Sequence, residues 1–220
     1  MSIKENISSL LPDLPEGVKL VAVSKTRTVD EMREAYASGL RDFGENKVQE
    51  MTRKHDEFDE SVRWHLIGHL QRNKVKYIVG KVFLIHSLDS TRLLAELEKQ
   101  YSAAELYADV LIEINIGRED NKTGILPEEL EEMLIQCEKC SHVKVKGLMT
   151  VLPICNEDEQ IQYFRQVRQM WDTLKGRKYR NIEMEYLSMG MTSDYKNAIT
   201  EGSNMVRIGE GIFGKRNYNI

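Results

Sequence analysis

The chain has 220 residues and a formal charge of −4, from 31 basic and 35 acidic side chains. This near balance excludes a general electrostatic attraction to nucleic acid or to an acidic membrane. Three cysteines are too few for a disulfide framework and are typical of a reducing cytosol. The sequence has neither a signal-peptide pattern nor a run of about 18 apolar residues, so we expect a cytoplasmic protein without a membrane span. No linker composition divides it, which favours a single domain over 1–220.

Short β-branched runs alternate along the chain with longer amphipathic stretches. After a helix at 2–11, the pattern predicts strands at 18–23, 41–44, 64–67, 82–86, 108–116, 143–149, 183–187 and 205–208. Helices are predicted between them at 29–38, 46–55, 73–79, 90–101, 128–137, 157–174 and 195–200, and the C-terminal stretch has room for one more. Thr28 is the expected N-cap of the helix at 29–38, and Gly39 is expected to end it.

Strands and helices that alternate at this spacing imply right-handed crossovers and a parallel sheet. The predicted units fit an α/β fold in the form of a closed (β/α)8 barrel, with the first helix as an addition. An open doubly wound sheet is the alternative. In a barrel, the functional groups lie at the carboxyl ends of the strands and in the loops that follow them.

Lys25 follows the first predicted strand, at the point where the apolar run of VAVSKT stops. A lysine held among apolar walls loses solvation, which lowers its pKa and makes its amine a usable nucleophile. A long side chain that reaches solvent from the barrel rim is the other interpretation. Position alone leaves both open.

Polar side chains also lie at the ends of other predicted strands. They are Glu45, Asn46, Lys47, His65, His69, His86, Ser87, Glu113, Asn115, Arg118 and Thr150. Packing does not explain such a cluster at one end of many strands, so together these residues indicate a small-molecule site.

Glycine-containing loops follow the seventh and eighth strands, at 188–194 and 207–211. Glycine allows the backbone to approach a ligand closely, and these two loops are the frequent phosphate site of (β/α)8 barrels. Tight turns with an ordinary helix cap are the structural alternative. A lysine amine and a phosphate site in one barrel mouth allow two chemistries: a Schiff-base aldolase acting on a sugar phosphate, or pyridoxal phosphate held as an imine.

We predict no function from three other patterns in the sequence. The C-x-x-C of Cys137 and Cys140 has no second ligand pair, so we interpret both cysteines as structural. His65 and His69 are four residues apart, but the strand-like run between them does not form a helical metal-binding face, and we predict no metal site. The basic residues at 72–76 are too few to indicate nucleic-acid binding.

Seven segments occur in order along the chain: VAVSKT, FGENKVQE, WHLIGHLQRNK, HSLDS, GLMTV, LSMGMTSDY and VRIGEGIFG. Together they resemble the pyridoxal phosphate homeostasis proteins, relatives of the alanine racemase barrel domain. The resemblance extends over residues 18–218 and implies a single (β/α)8 barrel that carries pyridoxal phosphate.

The resemblance also assigns roles to individual residues. It implies that Lys25 forms a Schiff base with the cofactor and that Arg207 faces the pyridine nitrogen. Phosphate contacts are implied for Ser188, Thr192, the backbone near Gly190 and the backbone of Gly209. Asn46 is expected in the surroundings of the cofactor, with His65 and Ser87 as further members.

The expected position of Arg207 bears on activity. A guanidinium stays charged and can only donate, so it disfavours protonation of the ring nitrogen and leaves the ring a poorer electron sink. This argues against transaminase-type chemistry but not against racemisation, because alanine racemases use a similar arginine. Those racemases carry a second, β-rich domain with a catalytic tyrosine. The sequence ends at Ile220, directly after the barrel, so we expect no such domain and no efficient racemisation.

We therefore predict a monomeric pyridoxal phosphate-binding protein that contributes to homeostasis of the cofactor, with little or no catalytic turnover. Apo-enzymes that depend on pyridoxal phosphate are the expected recipients, and neither nucleic acid nor a membrane is an expected partner. The alternative is a weak pyridoxal phosphate-dependent amino-acid racemase or lyase, and a more distant one is the cofactor-free aldolase.

Overall fold

In a computed structural model, parallel strands close into a barrel in chain order, and the last strand pairs with the first. The structure describes residues 1–58 and 61–215, so the end of the resembling region at 216–218 lies outside the described residues. The strands are β1 (Lys19–Val23), β2 (Asp42–Glu45), β3 (Arg63–Leu66), β4 (Leu84–Leu88), β5 (Ala108–Ile114), β6 (Val143–Thr150), β7 (Ile182–Ser188) and β8 (Met205–Ile208). The predicted (β/α)8 barrel is confirmed, and the open sheet is wrong because β8 closes onto β1.

Helices surround the barrel. They are α1 (Ile3–Leu10), α2 (Val29–Ala37), α3 (Val48–His55), α4 (Thr91–Ala103), α5 (Leu130–Glu138), α6 (Glu157–Lys175), α7 (Tyr195–Thr200) and α8 (Glu210–Phe213). The extra helix α1 is tied to the last one, because the Asn6 side chain donates to the Ile212 carbonyl at 2.9 Å. None of the helices formed by the described residues is long and apolar enough to cross a bilayer.

Side-chain caps start several helices where the sequence indicates. Thr28 caps α2 as predicted: its hydroxyl accepts from the Glu31 N–H, and the Glu31 carboxylate accepts from the Thr28 N–H. Gly39 follows α2 with φ +99°, a conformation that suits glycine, and the chain turns there into β2.

Most predicted elements agree with the structure to within two residues at each end, and the differences at 73–79 and in β4 change the type or the position of a whole element. The segment predicted as a helix at 73–79 is a 3-10 helix, Arg72–Tyr77, because Val75 is its only buried side chain and no apolar stripe supports longer α-helical turns. Strand β4 begins and ends two residues later than predicted, with an irregular register between Ile85 and Leu88. Ser87 therefore lies inside the strand rather than after it.

The core has two parts. A large cluster fills the space between the sheet and the helices, and a smaller one lies inside the barrel. The inner cluster consists of Val21, Leu84, Leu111, Met149, Tyr186 and Met205. Because side chains alternate along each strand, the same inward-facing positions continue into buried polar residues, among them His65, His86, Glu113, Ser188 and Arg207.

Candidate functional site

Lys25 lies in the turn that follows β1, two residues beyond Val23, and its side chain is partly buried. The Ser24 N–H donates to the Gly44 carbonyl at 3.0 Å, and the Arg27 N–H donates to the Ser24 carbonyl at 3.0 Å. These bonds fix the turn on both sides of the lysine. Lys25 thus occupies a carboxyl-end rim position, where barrels of this class carry their functional groups.

The residue after Lys25 has an unusual backbone. Thr26 has φ +66°, in the left-handed region that β-branched residues rarely adopt. Its N–H donates to the Glu50 carboxylate at 2.7 Å. A carboxylate from α3 therefore holds the turn in a strained conformation next to the lysine.

A buried network lies beneath this turn. Lys54, at the end of α3, is fully buried and donates to the Ser24 carbonyl at 2.8 Å, to Glu45 at 2.7 Å and to Glu50 at 2.8 Å. The Ser24 hydroxyl donates to the same Glu45 oxygen at 2.7 Å. Burial raises the pKa of Glu45, and the nearby Lys54 only partly opposes this. The second Glu45 oxygen has no hydrogen-bond partner among the described residues.

The loops after β7 and β8 meet beside the end of β1. The Arg207 N–H donates to the Gly190 carbonyl at 3.0 Å, and the Gly211 N–H donates to the Thr192 hydroxyl at 3.3 Å. A Cβ added at Gly209 would lie 3.3 Å from the Cβ and the carbonyl oxygen of Val23. The two loops therefore form one surface next to the Lys25 turn.

Backbone donors in these loops are available to a ligand. Among residues 1–58 and 61–215, the N–H groups of Gly190, Thr192 and Gly209 donate to no protein acceptor. Gly190 has φ +98°, and a Cβ there would lie 2.7 Å from the Cβ of Ala198. Only glycine therefore allows this loop to pack against α7 as it does.

Arg207 lies in the barrel interior and is 3% exposed. It donates from Nη1 to the Ser188 hydroxyl at 2.6 Å and to the Ser188 carbonyl at 2.8 Å, and from Nη2 to the Thr150 carbonyl at 2.8 Å. Burial lowers the pKa of Arg207 to about 10, so it remains charged at neutral pH. Its hydrogen-bond acceptors among the described residues include no carboxylate. The Ser188 hydroxyl, expected to contact phosphate, is fully buried and engaged with Arg207.

The other predicted members lie at different depths. Asn46 is partly exposed at the rim, where a Cβ at Gly68 would be 2.6 Å from its carbonyl oxygen. Ser87 is fully buried, and its hydroxyl has no partner among the described residues. His65 is fully buried below the rim and is hydrogen-bonded to His86.

Glu113 adds a carboxyl group to the barrel interior. It is 6% exposed, and one of its oxygens accepts from the Thr123 hydroxyl at 2.8 Å. The other oxygen has no partner among the described residues. Burial raises the pKa of Glu113, and the nearby Asp89 adds to the rise.

Sequence reasoning placed Glu45 among the polar residues at the strand ends but missed its network with Lys54 and Glu50. One signal was present, since Glu50 and Lys54 are four residues apart and can pair on one helix face. That this pair turns inward and reaches Ser24, thirty positions earlier, depends on how α3 docks on the barrel.

The cysteine pattern has a structural explanation. Cys137 and Cys140 are both buried, and burial raises their thiol pKa values to about 12 and about 11. Such thiols are unreactive at neutral pH. Within the described ranges, no group of three or more His, Cys, Asp or Glu side chains is arranged to hold a metal ion.

Comparisons with known proteins agree with this architecture. A family model described as "Alanine racemase, N-terminal domain" matches residues 1–217. A pyridoxal phosphate homeostasis protein of Aquifex aeolicus is 45% identical over 202 residues, which cover 91% of this chain and 88% of the relative. This chain belongs to the pyridoxal phosphate homeostasis protein family. The resemblance found in the sequence is thereby confirmed.

Solved structures from this family share the barrel. PipY of Synechococcus elongatus PCC7942, solved without PLP, superposes with a TM-score of 0.91 at 35% identity, over 96% of this chain and 100% of PipY. The same protein with PLP bound gives a TM-score of 0.88 at 34% identity, with the same coverage. The barrel is thus a property that this chain shares with the family over nearly its whole length.

Proposed function

We propose that this member of the pyridoxal phosphate homeostasis family binds pyridoxal phosphate at the carboxyl-end rim of its barrel through a Schiff base to Lys25. It contributes to homeostasis of the cofactor, with little or no catalytic turnover. One observation carries the proposal: the Lys25 turn lies at the same rim as the loops after β7 and β8, whose N–H groups at Gly190, Thr192 and Gly209 have no acceptor among the described residues. The family relationship and the PLP-bound PipY structure support it.

The residues of this rim fit the chemical groups of the cofactor. The N–H groups of Gly190, Thr192 and Gly209 suit a phosphate, because unpaired backbone donors in turns bind anions well. The buried, unpartnered Ser87 hydroxyl is a further polar group that a ligand can satisfy. Bound pyridoxal phosphate supplies an aldehyde for an amine and an electron-withdrawing ring.

The surroundings of Arg207 support the low turnover. Its guanidinium remains charged at neutral pH and can only donate, so a ring nitrogen that faces it is not given a proton. Three of its N–H donations go to Ser188 and Thr150, which hold the group in place. A rigid donor at this position favours binding over carbanion chemistry.

Lys25→Ala tests the proposed attachment. Purified wild-type protein mixed with pyridoxal phosphate should gain the absorbance band of an imine, and Lys25→Ala should lose it because the amine is gone. Lys47→Ala removes an exposed lysine from the same rim and should keep the band. Borohydride reduction followed by peptide mass mapping should find the label on Lys25. A band of normal intensity in Lys25→Ala would refute the attachment.

The proposed homeostatic role needs a separate assay. Loaded protein mixed with an apo-enzyme should restore that enzyme's activity, and a trap for free cofactor separates direct transfer from release. Failure to load any of several apo-enzymes would contradict the role but not the binding. That the protein is monomeric and cytoplasmic stays a prediction.

One observation favours the second candidate, a weak amino-acid racemase or lyase. Glu113 places a carboxyl group with a raised pKa and an unpartnered oxygen in the barrel interior, as an acid–base group requires. Amino-acid turnover lost in both Lys25→Ala and Glu113→Gln would establish this candidate. Turnover that is absent from wild-type protein would exclude it.

A further inference from the structure

A chain of hydrogen bonds crosses the barrel interior and ends at Arg207. The Ser188 hydroxyl lies 2.6 Å from Arg207 Nη1 and 3.1 Å from His86 Nδ1. His86 Nε2 lies 2.9 Å from His65 Nδ1, and His65 Nε2 lies 2.9 Å from Asp42 Oδ1. The chain thus links β8, β7, β4, β3 and β2, and Asp42 is the first residue of β2, at the opposite end of the barrel from the candidate site.

The chemistry of the two ends fixes the direction of every bond. The Asp42 carboxylate can only accept, so His65 carries its proton on Nε2 and donates to it. With one proton on each ring, His65 Nδ1 accepts from His86, which also carries its proton on Nε2. His86 Nδ1 can then only accept, so the single Ser188 hydrogen goes to it. Arg207 can only donate, so the Ser188 oxygen accepts from it. All four donations point from the arginine towards the carboxylate.

The charge states of the members agree with this direction. Burial lowers the pKa of His65, although the hydrogen bond to Asp42 opposes the shift, and Arg63 and Lys19 face the ring as further cations. Burial, His65 and Arg207 lower the pKa of His86 still further. Both rings are therefore neutral at physiological pH, with one proton each, as a one-directional chain requires.

Asp42 remains charged at its end of the chain. It accepts from Arg63 Nε at 2.7 Å and from Arg63 Nη2 at 2.5 Å. Burial alone raises the pKa of Asp42, but the hydrogen bonds from Arg63 and His65 outweigh it and hold the pKa at about 2. The acceptor end of the chain is therefore an anion.

We propose that Asp42 is a positioning residue for Arg207, acting through the hydrogen-bonded chain of Ser188, His86 and His65. Its negative charge orients every donation towards Asp42, so that the Ser188 hydroxyl donates to His86 while its oxygen accepts from Arg207. The guanidinium is thereby held without a hydrogen bond to a carboxylate among the described residues, and its positive charge stays directed at the candidate site. This proposal rests on the proposed function only for the importance of Arg207, because the hydrogen-bonded chain consists of protein groups alone.

The amide of Asn makes the opposite orientation possible, which provides the test. In Asp42→Asn, the amide nitrogen can donate to His65 Nε2, so His65 can donate from Nδ1 to His86 Nε2. His86 then donates from Nδ1 to Ser188, whose oxygen accepts from both His86 and Arg207. The substitution keeps the shape of the side chain but replaces a group that can only accept by one that can also donate, so the hydrogen bonds are no longer restricted to one direction.

Long-range ¹H–¹⁵N NMR on the ligand-free protein reads the proton positions directly. Wild-type protein should show His65 and His86 as neutral rings protonated at Nε2. Asp42→Asn should move the protons to Nδ1, wholly or in a mixture. Asp109→Asn is the matched control: Asp109 is a partly buried carboxylate near the same end of the barrel, at the second residue of β5, with no hydrogen bond to the chain among the described residues. It should leave both rings unchanged.

Two results would overturn the proposal. One is a wild-type His86 protonated at Nδ1, and the other is unchanged ring protons in a folded Asp42→Asn protein. The wild-type measurement decides the direction even if the variant does not fold. Cofactor binding is measured separately by absorbance. Wild-type protein that binds pyridoxal phosphate but has His65 and His86 protonated at Nδ1 would refute this inference and leave the proposed function intact.

Discussion

At the scale of single residues, the turn that carries Lys25 combines strain with tight fixation. Thr26 has φ +66°, and the Glu50 carboxylate holds its N–H at 2.7 Å. Such a conformation costs a β-branched residue on the order of 1–2 kcal/mol and persists only where its surroundings impose it. The strain therefore indicates that the path of the backbone at Lys25 matters more than local stability.

Thr26→Gly should relieve this strain. Glycine accepts a positive φ freely, so the strain is removed, but glycine also loses more backbone entropy on folding. The net effect we expect is a rise of about 0.5–1 kcal/mol in the free energy of unfolding. Urea denaturation measures the change. Thr26→Ala retains a Cβ and should show no comparable gain. Equal stability of the Gly and Ala variants would contradict the strained conformation.

At the scale of elements, α3 does more than cover the sheet. Its inner face buries Val48 and Met51 as an amphipathic helix should, and then buries Lys54 as well. That lysine connects α3 to the end of β1 through Ser24 and to the end of β2 through Glu45. Helix docking and the position of the Lys25 turn are therefore coupled.

Lys54→Met should destabilise the protein strongly. The substitution leaves Glu45 buried with no cation beside it, and loss of one partner from a buried pair costs about 3–5 kcal/mol. Thermal or urea unfolding measures the loss. In the double variant Lys54→Met/Glu45→Gln, the unpaired charge is gone, and much of the stability should return. Lys47→Met, at the exposed start of the same helix, should change stability by less than about 0.5 kcal/mol. If the double variant lost as much free energy of unfolding as the two single variants together, the coupling between Lys54 and Glu45 would be ruled out.

At the scale of the whole molecule, barrel closure joins polar groups from opposite ends. Asp42 at the start of β2 and Arg207 near the end of β8 belong to one hydrogen-bonded system only because the strands enclose a shared interior. The hydrogen bonds from Arg63 and His65 keep Asp42 ionised to a lower pH in the folded state than in the unfolded chain.

This difference predicts a pH dependence of stability. The folded pKa of Asp42 is about 2, against 3.8 for the ordinary side chain, so the unfolded state binds more protons between these values. The contribution of Asp42, about 2 kcal/mol, is present above pH ~4 and lost as the pH falls towards 2. Urea unfolding over this range should show a smaller loss in Asp42→Asn.

Asp109→Asn serves as the control for the acid range. Burial raises the pKa of Asp109, so its contribution to stability has the opposite pH dependence and is lost as the pH rises. Its removal cannot lessen the loss of stability in acid. An identical acid profile for wild type and Asp42→Asn would show that the folded pKa of Asp42 is not lowered.

Much of the fold could be predicted from the sequence, because it is encoded locally. The Thr28 cap, the β-branched strands and the apolar faces of the helices are short-range patterns, and their alternation fixes a right-handed parallel arrangement. The segment at 73–79 was predicted less well, since one buried side chain does not separate an α-helix from a 3-10 helix. Motifs in order, beginning with VAVSKT, identified the family and with it Lys25 as the first residue to test.

The sequence by itself thus determined the barrel, its rim and the residue types at the strand ends. Only the tertiary structure decided which of these side chains meet. In it, the Ser188 hydroxyl accepts from Arg207, the buried Lys54 donates to the Ser24 carbonyl, and His65 is hydrogen-bonded to Asp42. The physical reason is that periodicity tells which face of an element is buried, whereas hydrogen bonds between strands far apart in sequence depend on barrel closure and on the depth of each side chain within it.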